Sequence, residues 1–154
     1  MSLTPLARLP RMARPWCGIF LLLIGTSGTL SAAELKVNEA RLRLLPGDLP
    51  AAGYFILVNP SETNITLTGA DSPAFGNVMM HRTVNQDGVT GMQPVAQIEL
   101  AAGEQIEFAP GGYHLMLMKR TRSLAIGDDI EVTLFFANGQ QQSITFRAVS
   151  PTIQ

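Results

Sequence analysis

From Leu35 to Ala148 the chain alternates between short apolar runs and polar breaks, with Gly or Pro recurring throughout. No interval between these breaks carries the three-to-four-residue apolar spacing and the capping residues of an amphipathic helix. The runs are instead β-branched and aliphatic, and they predict strands near Leu35–Leu44, Ala52–Asn59, Ile65–Ala70, Asn77–Thr83, Val95–Leu100, Gln105–Phe108, Tyr113–Met118, Asp129–Phe136 and Ser143–Ala148. Several alternate as half-buried antiparallel strands do. In the eighth, Ile130, Val132 and Leu134 share one face while Glu131 and Thr133 share the other. Short strands at this density predict an all-β domain, a β-sandwich or a Greek-key barrel. No internal repeat, low-complexity tract or linker divides it, so one domain is expected.

The first 33 residues follow a different pattern. Arg8, Arg11 and Arg14 form a basic start with no acidic residue, the apolar run Trp16–Ile24 follows, and Ser31-Ala32-Ala33 closes the segment with small residues. These are the three parts of a secretory signal peptide, with cleavage expected before Glu34 and a mature domain at 34–154. The apolar run is about half of the roughly 20 residues that a membrane-spanning helix needs. Cys17 raises the possibility of a lipid anchor, but Arg14-Pro15-Trp16 precedes it where small and apolar residues would be required. Export to the periplasm without a stable membrane anchor is the expectation. Cleavage would remove three of the 11 basic residues and none of the 12 acidic ones, leaving eight against twelve and a net charge of −4. Neither nucleic acid nor an anionic membrane is attracted by that balance. Cleavage would also remove the only cysteine, and with it any disulfide, thiolate nucleophile or thiolate metal ligand.

The residues that remain offer little for catalysis. There is no glycine-rich phosphate loop opening a helix, no H-E-x-x-H and no nucleophile elbow, and Asp128-Asp129 reads as a solvated turn. The chain is not expected to be an enzyme. Its unusual feature is methionine in company with histidine. Only two histidines occur, His81 and His114, and five of the seven methionines, Met79, Met80, Met92, Met116 and Met118, lie between residues 79 and 118. On a strand, period two puts Tyr113, Leu115 and Leu117 on one face and His114, Met116 and Met118 on the other. The first face is ordinary core. The second presents an imidazole and two thioethers, which a solvent-facing strand would not normally choose. Methionine is also a common core filler, so composition alone leaves a metal-free β-sandwich interaction module open.

The spacing is more specific. His81, Met92, His114 and Met116 form the pattern H-x10-M-x21-H-x-M. With Val78-Met79-Met80-His81, Asp87-Gly88-Val89, Met92-Gln93-Pro94-Val95 and the stretch Phe108–Met118 around them, these residues resemble the PCu(A)C family of periplasmic copper chaperones over roughly 36–149. The resemblance implies a cupredoxin-like Greek-key β-barrel that binds one Cu(I) through His81, Met92, His114 and Met116 and passes it on. It implies as recipient the copper subunit of cytochrome c oxidase, a Sco-like thiol protein, or both, with the carrier itself a monomer. Copper buffering, detoxification or uptake on the same site stays open. The C-terminus Ser150-Pro151-Thr152-Ile153-Gln154 lacks the His- and Met-rich tail that some relatives carry, so a second copper site of that kind is not expected. Met79, Met80 and Met118 are read as shielding or rim residues and not as ligands.

Overall fold

The computed structural model describes residues 34–152, so the signal-peptide segment 1–33 lies outside the described residues. The described residues contain ten strands: β1 (Lys36–Arg43), β2 (Ala51–Val58), β3 (Ile65–Asp71), β4 (Phe75–Gln86), β5 (Val89–Pro94), β6 (Ile98–Leu100), β7 (Gln105–Phe108), β8 (Tyr113–Arg120), β9 (Asp129–Phe136) and β10 (Gln141–Val149). They form one sheet in the order β5-β4-β8-β7-β2-β1-β10-β9-β3-β6, with β8 also paired to β2. β3 approaches β4, so the sheet curls over a single core. The all-β expectation is met.

The alternation read from the sequence fills that core. Ile130, Val132 and Leu134 of β9 and Ile144, Phe146 and Ala148 of β10 all point inward. They meet Leu42, Phe55, Leu57, Leu115 and Leu117 from the other half of the sheet. Phe55 stacks on Phe108 with ring centres 4.2 Å apart and meets the edge of Phe146 at 5.6 Å. Gly53 lies where β2 pairs with β8, opposite Leu115: a Cβ there would fall 3.3 Å from Leu115 Cβ and 3.4 Å from Phe146 Cε1, so the fit at this point depends on its missing side chain. Asn59, buried at the end of β2, is held from several sides. Its Nδ2 donates to the carbonyls of Thr63 (2.8 Å) and Ala101 (2.9 Å), and its Oδ1 accepts from the Ser61 hydroxyl (2.7 Å).

Two turns place the face that matters below. β4 and β5 are joined by Asp87-Gly88, both with positive φ (54° and 80°), and Gln86 pairs Val89 across them. This is the two-residue hairpin in which Asp-Gly is strongly preferred, because its twist matches that of the strands. Between β7 and β8, Gly112 N donates to the Ala109 carbonyl at 3.0 Å with Pro110 and Gly111 (φ 82°) in the central positions. Proline followed by a positive-φ glycine is the signature of a type II turn. Thr83 N then donates to the Gly112 carbonyl at 3.0 Å, tying the hairpin to this turn.

The sequence reading missed one strand and misjudged the length of two others. β5 was absent from the expected set, β4 runs from Phe75 to Gln86 and not only from Asn77 to Thr83, and the stretch expected at Val95–Leu100 contributes only Ile98–Leu100.

Candidate metal centre

β8 is the axis of the site. Its inward face is Leu115 and Leu117, both fully buried, and the opposite face carries His114, Met116 and Met118, as the period-two reading required. β4 runs antiparallel beside it in a register that pairs His81 with His114 and Met79 with Met116. Directly opposed residues on an antiparallel pair share a face, with Cβ atoms about 4.5–5.5 Å apart. On the other side of β4, Met92 of β5 stands opposite Thr83, two positions from His81 and again on the same face. All four residues singled out by spacing therefore lie on one face of three neighbouring strands.

They are not equally enclosed. His114 is 4% exposed and Met116 half-buried, while Met92 on the outermost strand is 58% exposed. A cavity of about 340 Å³ is walled by Met92, His114 and Met116 together with Ala52, Tyr54 and Gly111. His81 stands beside it, its ring 5.8 Å from that of His114 at an interplanar angle of 81°. Ala52 pairs Met116 on one side and Arg43 on the other, and its small side chain leaves the hollow in which the cavity sits. Met80, which the sequence placed among the shielding residues, instead belongs to the core: it is paired with Leu115 and buried.

The two imidazoles are incompletely satisfied. His114 Nδ1 lies 3.3 Å from the Gly112 carbonyl, so the tautomer that makes this bond protonates Nδ1 and leaves Nε2 a bare lone pair. That Nε2 is buried with no partner, and so is His81 Nδ1. Burial holds the His81 imidazole below its ordinary pKa, and the facing His114 acts in the same direction. Burying a nitrogen without a hydrogen bond is costly, and most native structures avoid it. Two such nitrogens lie on neighbouring rings that meet edge-on. Imidazoles sharing one ion at about 2 Å per nitrogen have ring centres roughly 5–6 Å apart, and 5.8 Å falls within that range. Among the described residues no three His, Cys, Asp or Glu side chains gather as a metal site, so an ion on this face would draw its further donors from the thioethers.

The comparisons with known proteins bear on the same domain. Residues 35–148 match the family described as lipoprotein LpqE-like. The chain belongs to that LpqE-like family. A relative is an uncharacterised protein of Rickettsia prowazekii (strain Madrid E), 30% identical over 101 residues, of whose length the match spans 56%. Among solved structures, the copper-bound PCuAC domain of PmoF2 superposes with a TM-score of 0.65 at 24% identity, covering 79% of this chain and 97% of that domain. The Cu(I) form of DR1885 from Deinococcus radiodurans superposes with a TM-score of 0.60 at 23% identity, covering 83% of this chain and 85% of that one. This LpqE-like chain therefore has the PCuAC fold that its motif resemblance implied.

Proposed function

We propose that this domain binds one Cu(I) through His81, Met92, His114 and Met116 and hands it on as a non-enzymatic metallochaperone. The observation that carries the proposal is the pair of buried, unpartnered nitrogens, His81 Nδ1 and His114 Nε2, on facing rings beside two thioethers. The donor set selects the metal. Thioether sulfur is a soft ligand suited to Cu(I). Hard ions such as Mg2+ and Ca2+ require oxygen, and Zn2+ would gain only two good ligands of four. All four donors are neutral, so the ion's charge stays uncompensated and it is held firmly but releasably. The copper in the related PmoF2 domain and the Cu(I) in DR1885 support the same choice.

Residues 1–33 act in this reading as a cleaved signal peptide, and the lipoprotein description of the family accords with an exported, envelope-associated protein. The exported chain should then have the mass of a protein beginning at Glu34. In the periplasm a thiol pair risks oxidation to a disulfide, whereas imidazole and thioether carry no such hazard. The recipient follows from the family resemblance: the copper subunit of cytochrome c oxidase, a Sco-like thiol protein, or both. Oxidase activity of a deletion strain under limiting copper, set against its growth in excess copper, separates delivery from buffering or uptake.

The test of the site is a competition titration with a Cu(I) chelator under reducing conditions. His114→Ala and Met116→Ala should each weaken Cu(I) binding at least tenfold while the far-ultraviolet β signature is retained. Unchanged affinity in both variants would overturn the assignment.

A further inference from the structure

The register of the sheet brings a fifth soft donor to this face. Met79 is directly opposite Met116, just as His81 is directly opposite His114, so the four side chains form a two-by-two array on β4 and β8. Met79 and His114 are diagonal neighbours on adjacent strands, and His81 and Met116 are related in the same way. Diagonal neighbours lie about 7–8 Å apart, within reach of long side chains. Met92, by contrast, is on β5, two strands away from His114 with β4 between them. By register Met79 is a diagonal neighbour of His114 on the adjacent strand, although it lines a different hollow from the cavity of Met92, His114 and Met116.

The surroundings of Met79 differ from those of a core filler. It is 38% exposed although large and apolar, while its neighbour Met80 is buried. It opens on a separate surface hollow shared with Gly69, Pro94 and Val95, on the far side of the His pair from Thr83 and Met92. β5 ends at Pro94 opposite His81, and one further bond, from Val95 N–H to the Met80 carbonyl at 2.9 Å, closes the edge of β4 before Met79. Methionine has three rotatable bonds and adapts to irregular gaps.

We propose that Met79 is a third thioether of the copper site, interchangeable with Met92, so that the ion can pass along the imidazole pair from the Met92 side to the Met79 side of β4. This rests on the Cu(I) reading of His81, Met92, His114 and Met116. The exchange breaks one Cu–S(thioether) bond and forms another. Copper stays monovalent, no electron is transferred and no proton moves, because both donors are neutral. His81, His114 and Met116 hold the ion during the exchange, and the exposed Met92 and Met79 take turns as the remaining donor.

The test uses the exported domain with 13C-methyl-labelled methionine, titrated with Ag(I) as a soft, redox-inert monovalent probe and then with Cu(I) under reductant. The Met79 methyl resonance should shift together with those of Met92 and Met116, while that of core Met80 stays in place. Met79→Leu and Met92→Leu should each weaken Ag(I) binding about three- to tenfold, and the double variant by more than a hundredfold, exceeding the product of the two. If Met92 and Met116 shift while Met79 does not, or if the double variant is merely additive, the third thioether is refuted and the four-residue site stands. If neither Met92 nor Met116 responds, the copper site itself is wrong and Met79 falls with it.

Discussion

Replacing His114 by Phe should leave the apo domain as stable as before, or more so, while removing metal binding. The magnitude follows from what the imidazole touches. Its Nδ1 bond to the Gly112 carbonyl is long, 3.3 Å, and the loss of such a bond costs about 0.5–1.5 kcal/mol. Gly112 O keeps the Thr83 N–H at 3.0 Å and is not orphaned. Against that loss, Phe removes the buried, unpartnered Nε2, whose desolvation costs about 1–3 kcal/mol. The Phe ring is somewhat larger than imidazole, so no cavity penalty of the large-to-small kind arises. The balance lies between about −0.5 and 2.5 kcal/mol in favour of the variant, a change in Tm of up to roughly 10 °C for a domain of this size. Urea and thermal unfolding of the apo proteins measure it, with His114→Leu as a second variant in case the larger ring fits poorly. Adding Cu(I) should raise the Tm of the wild type by mass action and leave the variants unmoved. Destabilisation of both by more than about 2 kcal/mol would mean that His114 is a packing residue satisfied where it stands, and the reasoning would fail.

Two further outcomes are expected. The folded-state pKa of His81 is below its unfolded value of about 6.5, so the unfolded chain binds the proton more readily. The corresponding stability is fully present above about pH 6.5 and is lost as pH falls through the folded pKa. Urea stability should therefore drop more steeply with acidification in the wild type than in His81→Gln, and parallel slopes would refute this. Asn59→Ala should cost about 1–3 kcal/mol, because a buried residue loses its part-buried hydrogen bonds to the Thr63 and Ala101 carbonyls and from the Ser61 hydroxyl. The signature is a lower urea midpoint with an unchanged m-value, and a cost under 1 kcal/mol would show that water replaces the amide.

The strands most legible in the sequence were those with one wet face. β9 and β10 announced themselves because Ile130, Val132 and Leu134, then Ile144, Phe146 and Ala148, are buried at every second position. β5 escaped because all six of its residues are exposed and it includes Gly91 and Pro94, so burial imposed no period on it. It is held by pairing with β4 and by the Asp87-Gly88 turn, and only the turn left a local mark. Of the candidate site, the face shared by His114 and Met116 was readable from period two alone. The strand register that sets His81 against His114 and Met79 against Met116 was not, since it depends on pairing between segments some thirty residues apart. Nor could local pattern reveal Ala52 and Tyr54 as walls of the cavity, since β2 reaches it only through long-range contact with β8.

On the proposed Cu(I) site, the position of β5 at the rim has one consequence for how an ion would depart. β8 is hydrogen-bonded to three neighbours and β4 lies inside the sheet at His81, but β5 is bonded on one side only. Edge elements open at lower free energy than interior ones. In the proposed copper site, thermal loosening frees β5 first and takes the Met92 sulfur with it, while His81 and His114 stay on β4 and β8. Unloading then needs no global unfolding: the lattice of strands stays closed, and only its outermost thread swings away.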